Sequence, residues 1–210
     1  MKRVHIIGAG LIGGSIALAL SKTGWLVTLE DESPKLTEEA LTALSISQAS
    51  TNSLEVDVVF VAVPISANRA MIERSLKEYP NAIVIDIASV KTNSLPEIES
   101  AITTLERFVS THPLAGKELH GAQNAAVDLF ESRVWAICTG PYLSERAKIT
   151  AENVIRDCGA IPFAPNFVIA TELTTQGFTR FCIAHEREWI ERHDEIGNVI
   201  CRNLGRYCSQ

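Results

Sequence analysis

An α/β fold built on a doubly wound, mostly parallel sheet is what this sequence predicts, and three observations carry the prediction. Short apolar, β-branched runs alternate with segments of helical period along the first three quarters of the chain, the pattern of repeated βαβ units. The first of these runs ends in Gly8-Ala9-Gly10-Leu11-Ile12-Gly13 and leads into an Ala/Leu/Ile-rich helix. Beyond residue 165 the rhythm stops and a three- and four-residue apolar period takes over. The expectation is therefore a Rossmann-type domain over 1–165 followed by a short, reduced α-helical C-terminal segment over 166–210.

The elements follow in order. Val4 to Ile7 reads as a buried parallel strand and Leu11 to Ser21 as a helix. Trp25 to Leu29 is the second strand, ending at Glu30 and Asp31. Pro34 to Leu44 is a short helix, and Val56 to Val63 is a strand stopped by Pro64. Ala67 to Glu78 is a helix with a charged outer face, and Ala82 to Ile87 a strand. Leu95 to Leu105 reads as a helix, and Arg107 to Ser110 as a short strand leading to His112. Ala122 to Phe130 has helical character, Val134 to Cys138 is a strand, and Ala147 to Cys158 is a helix. Two prolines interrupt the stretch from Pro162 to Gln176. Phe178, Phe181, Cys182, His185, Trp189, Ile196, Val199, Ile200, Leu204 and Tyr207 then mark an amphipathic helix or helix pair.

Composition narrows the classes. The 210 residues are 46% hydrophobic and 21% charged, ordinary for a globular protein. A formal net charge of -6 without any Lys/Arg-rich run argues against nucleic acid as a partner. The apolar run after Met1-Lys2-Arg3 is too short for a signal peptide or a membrane span. Five cysteines without a Cys-x-x-Cys pair fit a reduced, cytoplasmic protein with no structural metal site.

The chemistry starts at the glycine turn. Gly8 permits a tight turn, Gly10 lets backbone approach a pyrophosphate, and Gly13 allows close packing of helix on strand. Leu11 and Ile12 open the helix whose N-terminus offers N–H groups and a positive dipole end to the phosphates. A dinucleotide is the cofactor this turn implies, although methyltransferases also use glycine-rich first turns. Asp31 follows Gly13 by eighteen residues, close to the spacing of the acid that holds the adenosine ribose. A carboxylate there accepts from the ribose hydroxyls and repels a 2′-phosphate, which favours NAD over NADP. Glu30 competes for the role, and the alternation of a strand keeps both from pointing the same way. Lys35 lies near enough in sequence to leave NADP open.

His112 stands in Ser110-Thr111-His112-Pro113-Leu114-Ala115-Gly116-Lys117-Glu118. Hydride removal from a carbinol carbon makes its hydroxyl acidic, and an imidazole titrating near pH 7 suits the accepting base. The alternative is a histidine capping a turn before Pro113.

Together these residues resemble the prephenate dehydrogenase family, with its arogenate dehydrogenase relatives. The resemblance covers residues 4 to 161. It rests on Gly8 through Ser15, Val61-Ala62-Val63-Pro64, Asp86-Ile87-Ala88-Ser89-Val90-Lys91 and the His112 run with Gly121; Leu129-Phe130 and Trp135 also fit. It implies NAD-dependent oxidative decarboxylation of prephenate to 4-hydroxyphenylpyruvate, a step of tyrosine biosynthesis. On this reading His112 hydrogen-bonds the ring hydroxyl, and Ser89 bonds the same hydroxyl near the nicotinamide. Val63 and Pro64 line the cofactor site, and Glu118 gates the substrate pocket. Ser89 equally fits a helix N-cap, Lys91 a loop cation and Glu118 a surface acid. Ala88 stands where the family has glycine, so its methyl could crowd the nicotinamide or block a positive φ. Lys117 replaces a small hydroxyl residue and adds a cation near the site.

The family's helical second domain supplies a dimer interface and part of the substrate pocket. Its early signature, a His-Asp step and then a Ser-His-x-Pro run, has no counterpart at the expected place. Gly177-Phe178-Thr179-Arg180, Trp189 and Asn198 resemble its far end. Arg180 then matches the arginine that grips a substrate carboxylate, or it is a helix-face arginine. The resemblance thus implies a shortened second domain and a possible homodimer through the C-terminal helix. Three readings of function stay open: a reduced but active dehydrogenase, a cofactor-binding protein with weak or lost catalysis, and another reductase on the same fold acting on a different hydroxy acid. Prephenate and arogenate are not distinguished.

Overall fold

The computed structural model describes residues 1–48, 52–89, 105–116, 121–138 and 143–164. Seven strands form one sheet: β1 Arg3–Ile7, β2 Leu26–Glu30, β3 Val58–Val61, β4 Ile83–Asp86, β5 Phe108–Pro113, β6 Val134–Cys138 and β7 Ile161–Phe163. Their order is β2-β1-β3-β4-β5-β6-β7. All neighbouring pairs are parallel except β5 with β6. The described helices are α1 Leu11–Lys22, α2 Pro34–Leu44, α3 Ile65–Glu78 and α4 Glu145–Asp157.

Period-two alternation in the strands builds two cores. Val4, Ile6, Val58, Phe60, Ile83 and Ile85 pack with α1 and α4 residues around Phe130 and Trp135. Ile7, Val59, Val61 and Val84 face the other way, onto Ile72 and Leu76 of α3. A sheet covered on both faces explains why its strands read as continuous apolar runs. Phe130 and Trp135 pack with tilted rings 4.9 Å apart between centroids and are fully buried.

Local signals set the helix starts. Ser33 caps α2 by accepting from the Leu36 N–H, with Pro34 in the first turn. Ser144 caps α4 through the Ala147 N–H and donates its own proton to the Glu106 carbonyl. Gly10 caps α1 without a side chain, so the helix end faces outward with no acceptor of its own.

Three expectations need correction. Ala122 to Phe130 is not a helix: only a 3-10 turn, Ala122–Asn124, forms, followed by further turns. Tertiary contact outweighs propensity there, because the Ala126 N–H donates to Ser15 Oγ of α1 at 3.0 Å. Without a crossover helix at that point, β6 runs antiparallel to β5. Second, Pro162 does not end regular structure. Among the described residues Ile161–Phe163 pairs with β6 on one side only, and an edge strand tolerates proline. Third, β5 does not stop at Ser110 but continues through His112 to Pro113. Leu114 N donates to Val134 O, so the Pro113 nitrogen points away from β6. On that other side β4 has already ended at Asp86, and no donor is missed.

The Leu95 helix up to residue 104 and the entire 166–210 segment lie outside the described residues. So do Lys91, Lys117, Glu118, Arg180 and Trp189.

Candidate active site

The sheet order reverses between β1 and β3, and a cleft opens at the carboxyl ends of the strands at that point, where open α/β sheets bind ligands. The cleft encloses about 1130 Å³. The end of β1 gives Gly8 and Gly10; the start of α1 gives Leu11 and Ile12. The end of β2 gives Glu30 and Asp31, the end of β3 gives Val63 and Pro64, and the loop after β4 gives Ala88 and Ser89. Eight of the residues singled out in the sequence therefore share one cavity: Gly8, Gly10, Leu11, Ile12, Asp31, Val63, Pro64 and Ser89.

The turn has the shape a pyrophosphate needs. Gly8 has φ +100° and its amide bonds the Glu30 carbonyl at 2.7 Å. A Cβ there would collide with the Ala62 carbonyl. Gly13 does not line the cleft; a Cβ on it would collide with the Gly8 carbonyl and stand 3.2 Å from Ala62 Cβ. Helix and turn are in direct backbone contact at that position. A Cβ on Gly10 would meet nothing within 4 Å, because Gly10 borders open space at the mouth of α1. The residues present therefore fit a dinucleotide: a donor-rich helix end beside a space that no side chain of the described residues fills.

Glu30 and Asp31 diverge as strand alternation requires. Asp31 Oδ2 accepts from the Ala9 N–H at 2.6 Å and Oδ1 from the Glu32 N–H at 2.7 Å. Its carboxylate is thus fastened to the glycine turn. Glu30 turns to α3 and makes a fork with Arg74, Nη1 to Oε1 at 2.6 Å and Nη2 to Oε2 at 3.2 Å. Burial works to raise the Glu30 carboxyl, but the hydrogen bonds and charge of Arg74 outweigh it and hold the group below its ordinary value. Arg74 also donates Nε to Glu78 at 3.0 Å. Behind Glu30, the buried His5 ring has Nε2 3.3 Å from Glu30 Oε2 and Nδ1 2.9 Å from Thr28 Oγ1, and it stacks on Tyr79. Burial pushes the His5 imidazole below its ordinary value, against the pull of Glu30.

Ala67, Met71 and Arg74 line the same cleft from one stripe of α3. Their spacing of four and three puts them on one helix face, the only signal of their role that the sequence carries. Ala88 also lines the cleft, and it is not among the described residues with positive φ. Its methyl therefore blocks no left-handed backbone.

His112 lies in a strand and not in a turn before Pro113, the alternative to its acid–base role. It sits inside β5, opposite Ala136 of β6, half-buried, with Nδ1 shielded from solvent. It is not a lining residue of the cleft, whereas Gly116 and Gly121 are.

A mostly parallel sheet, a glycine turn and a cleft at the point of strand reversal define a nucleotide-binding α/β domain. The family model for the prephenate dehydrogenase nucleotide-binding domain matches residues 16–162. The chain belongs to the prephenate dehydrogenase family through that domain. It is 33% identical over 162 residues to a probable prephenate dehydrogenase, NovF, of Streptomyces niveus, covering 77% of this chain and 44% of that protein. The crystal structure of prephenate dehydrogenase from Aquifex aeolicus superposes with a TM-score of 0.70 at 22% identity, over 89% of this chain and 66% of that one. The A. aeolicus enzyme in complex with hydroxyphenyl propionate and NAD+ gives 0.69 at 20% identity, over 91% and 69%. The chain spans less than half the length of the curated relatives it matches.

Proposed function

We propose that this chain is an NAD-dependent dehydrogenase acting on the ring carbinol of prephenate, with release of carbon dioxide and formation of 4-hydroxyphenylpyruvate for tyrosine synthesis. The observation that carries the reading is the cleft. One cavity collects the glycine turn, the β2-end acid, Val63-Pro64 and Ser89, in a chain of the prephenate dehydrogenase family.

The nicotinamide, when bound, supplies the hydride acceptor. The remaining work falls to the chain's own groups. The α1 N-terminus and Gly10 hold the pyrophosphate. Asp31, already fixed by Ala9, accepts from the adenosine ribose; Glu30 is occupied by Arg74. Repulsion of a 2′-phosphate by Asp31 makes NAD the preferred cofactor. Val63 and Pro64 form the opposite wall. Ser89 hydrogen-bonds the substrate hydroxyl, and His112 accepts its proton as the carbinol carbon is oxidised. Glu118 and Arg180 belong to the same proposal as the gate and the carboxylate grip. The 166–210 segment would complete the pocket and join two copies of the chain.

The test is turnover of prephenate and of arogenate with NAD+ and with NADP+, on the parent chain and on His112→Asn. Prephenate with NAD+ is expected to give the highest kcat/KM. Loss of a general base costs on the order of 100- to 10,000-fold, and His112→Asn should fall in that range. A second reading, a dinucleotide-binding protein without turnover, is favoured by one observation: His112 does not itself line the cleft. Tight NADH binding with no turnover of either acid would select it.

A further inference from the structure

β4 and β5 run side by side only as far as Asp86 and Ser110. Past that pair they part. β4 turns into Ile87-Ala88-Ser89 along the cleft, while β5 continues to His112 against β6. Asp86 sits in the fork and is 2% exposed. Its Oδ1 accepts from Ser110 Oγ at 2.9 Å and from the Thr111 N–H at 3.2 Å. Its Oδ2 accepts from Asn68 Nδ2 of α3 at 3.0 Å. Its carbonyl accepts from Thr111 Oγ1 at 2.7 Å, and that hydroxyl oxygen accepts from Trp135 Nε1 at 2.9 Å.

Burying a carboxylate is costly, and its β4 neighbours Val84 and Ile85 show that an apolar side chain suits the strand. The donors are arranged to hold it nonetheless. Asn68 even leaves its own Oδ1 buried without a partner among the described residues, because turning the amide would set two oxygens against each other. The partners are also short backbone levers on the proposed site. Asn68 lies four residues after Pro64, Thr111 directly precedes His112, and Asp86 precedes Ser89 by three.

We propose that Asp86 is a positioning residue: the buried carboxylate at the β4–β5 fork fixes the Ser89 loop, the His112 end of β5 and the first turns of α3 against one another. The proposal rests on the dehydrogenase reading for what is positioned, but its geometry is independent of substrate. A misplacement of about 1 Å between reacting groups costs on the order of 100-fold in rate, so the effect belongs in kcat.

The test uses the full chain with Asp86→Asn, and with Asn68→Ala as a milder second variant. ADP-ribose affinity should stay within about threefold of the parent for both, since its site lies at the β1, β2 and α1 end. With prephenate and NAD+, kcat should fall at least about tenfold for Asp86→Asn, and less for Asn68→Ala, with KM for NAD+ nearly unchanged. An unchanged kcat overturns the proposal. So does a parallel loss of ADP-ribose affinity, which would mark a general folding role. If the parent turns over neither prephenate nor arogenate, the dehydrogenase reading fails, and Asp86 is judged by the reactivity of His112 instead. Diethyl pyrocarbonate labelling, read at the His112 peptide by mass spectrometry, should then change by about threefold or more in Asp86→Asn, with the His5 peptide reacting at the parent rate. An unchanged His112 rate overturns it.

Discussion

Asp31 and Glu30 are adjacent acids with opposite attachments, and their partners separate their roles. Asp31 is bonded to the glycine turn through Ala9; Glu30 is bonded to α3 through Arg74. Asp31→Ser should therefore relax discrimination against NADP+, measured as the ratio of the two dissociation constants, and should lower thermal stability only through the lost bonds to the Ala9 and Glu32 amides. No change in the ratio would remove Asp31 from the ribose site. Glu30 and His5 should act on stability instead. The His5 imidazole has its folded value lowered by burial, from an ordinary 6.5. The unfolded chain thus binds more protons as pH falls below that value, and the folded state loses stability on the acid side. A plot of Tm between about pH 7.5 and about pH 5.5 should fall towards acid, and His5→Gln should flatten it. Glu30 contributes in a separate window. Its lowered carboxyl stabilises the fold above its ordinary 4.5, and that contribution is lost as pH falls further. Neither acid's partner could be read from the chain. The spacing after Gly13 pointed to residues 30 and 31, but Arg74 lies forty-four residues away on another element.

At the scale of elements, the chain shows how local signals succeed and where distant contacts override them. Pro34–Leu44 and Val134–Cys138 form with the bounds their patterns indicate, since a Ser-Pro start and a run of apolar residues are local facts. Ala122–Phe130 departs because Ala126 and Ala125 dock on α1 at Ser15 and Gly14, contacts with no local signature. β7 was hidden because Pro162 reads as a breaker unless the strand is known to lie at an edge. The end of α3 carries another long-range device. Arg107 donates Nη1 to the Tyr79 and Ala82 carbonyls at 3.0 Å each, and Nη2 to the Leu76 carbonyl at 2.8 Å. A planar cation there ties the Leu76 carbonyl of the last helical turn to the Tyr79 and Ala82 carbonyls of the connection to β4. Hydrogen bonds to charged groups contribute about 1.5–3 kcal/mol, so Arg107→Ala should lower stability by that order in denaturant melts. Arg107→Lys should recover little, because an ammonium does not reproduce the fork. A full recovery by lysine would show that charge alone matters.

Over the whole molecule, the doubly wound order and the cleft at its reversal follow from alternation and one glycine turn, both legible along the chain. The antiparallel β5–β6 pair was not legible, because it depends on the absence of a crossover helix. The extension of β5 through His112 was hidden for a related reason, since His-Pro reads as a turn. What unites the architecture is a nucleotide cleft beside a turn whose glycines face different surroundings: Gly8 and Gly13 are pressed against backbone, and Gly10 faces open space. The Gly10 backbone has φ -69°, which any residue adopts, so a larger side chain there should spare the fold and fill only the space of the pyrophosphate. The decisive measurement is calorimetric titration of NAD+ into the parent chain and into Gly10→Val, with thermal melts of both. The account predicts one binding site in the parent and an affinity at least about tenfold weaker in Gly10→Val, a loss of about 1.4 kcal/mol, with stability changed by no more than about 0.5 kcal/mol. Equal NAD+ affinity in the two proteins, or no binding by the folded parent, would contradict it.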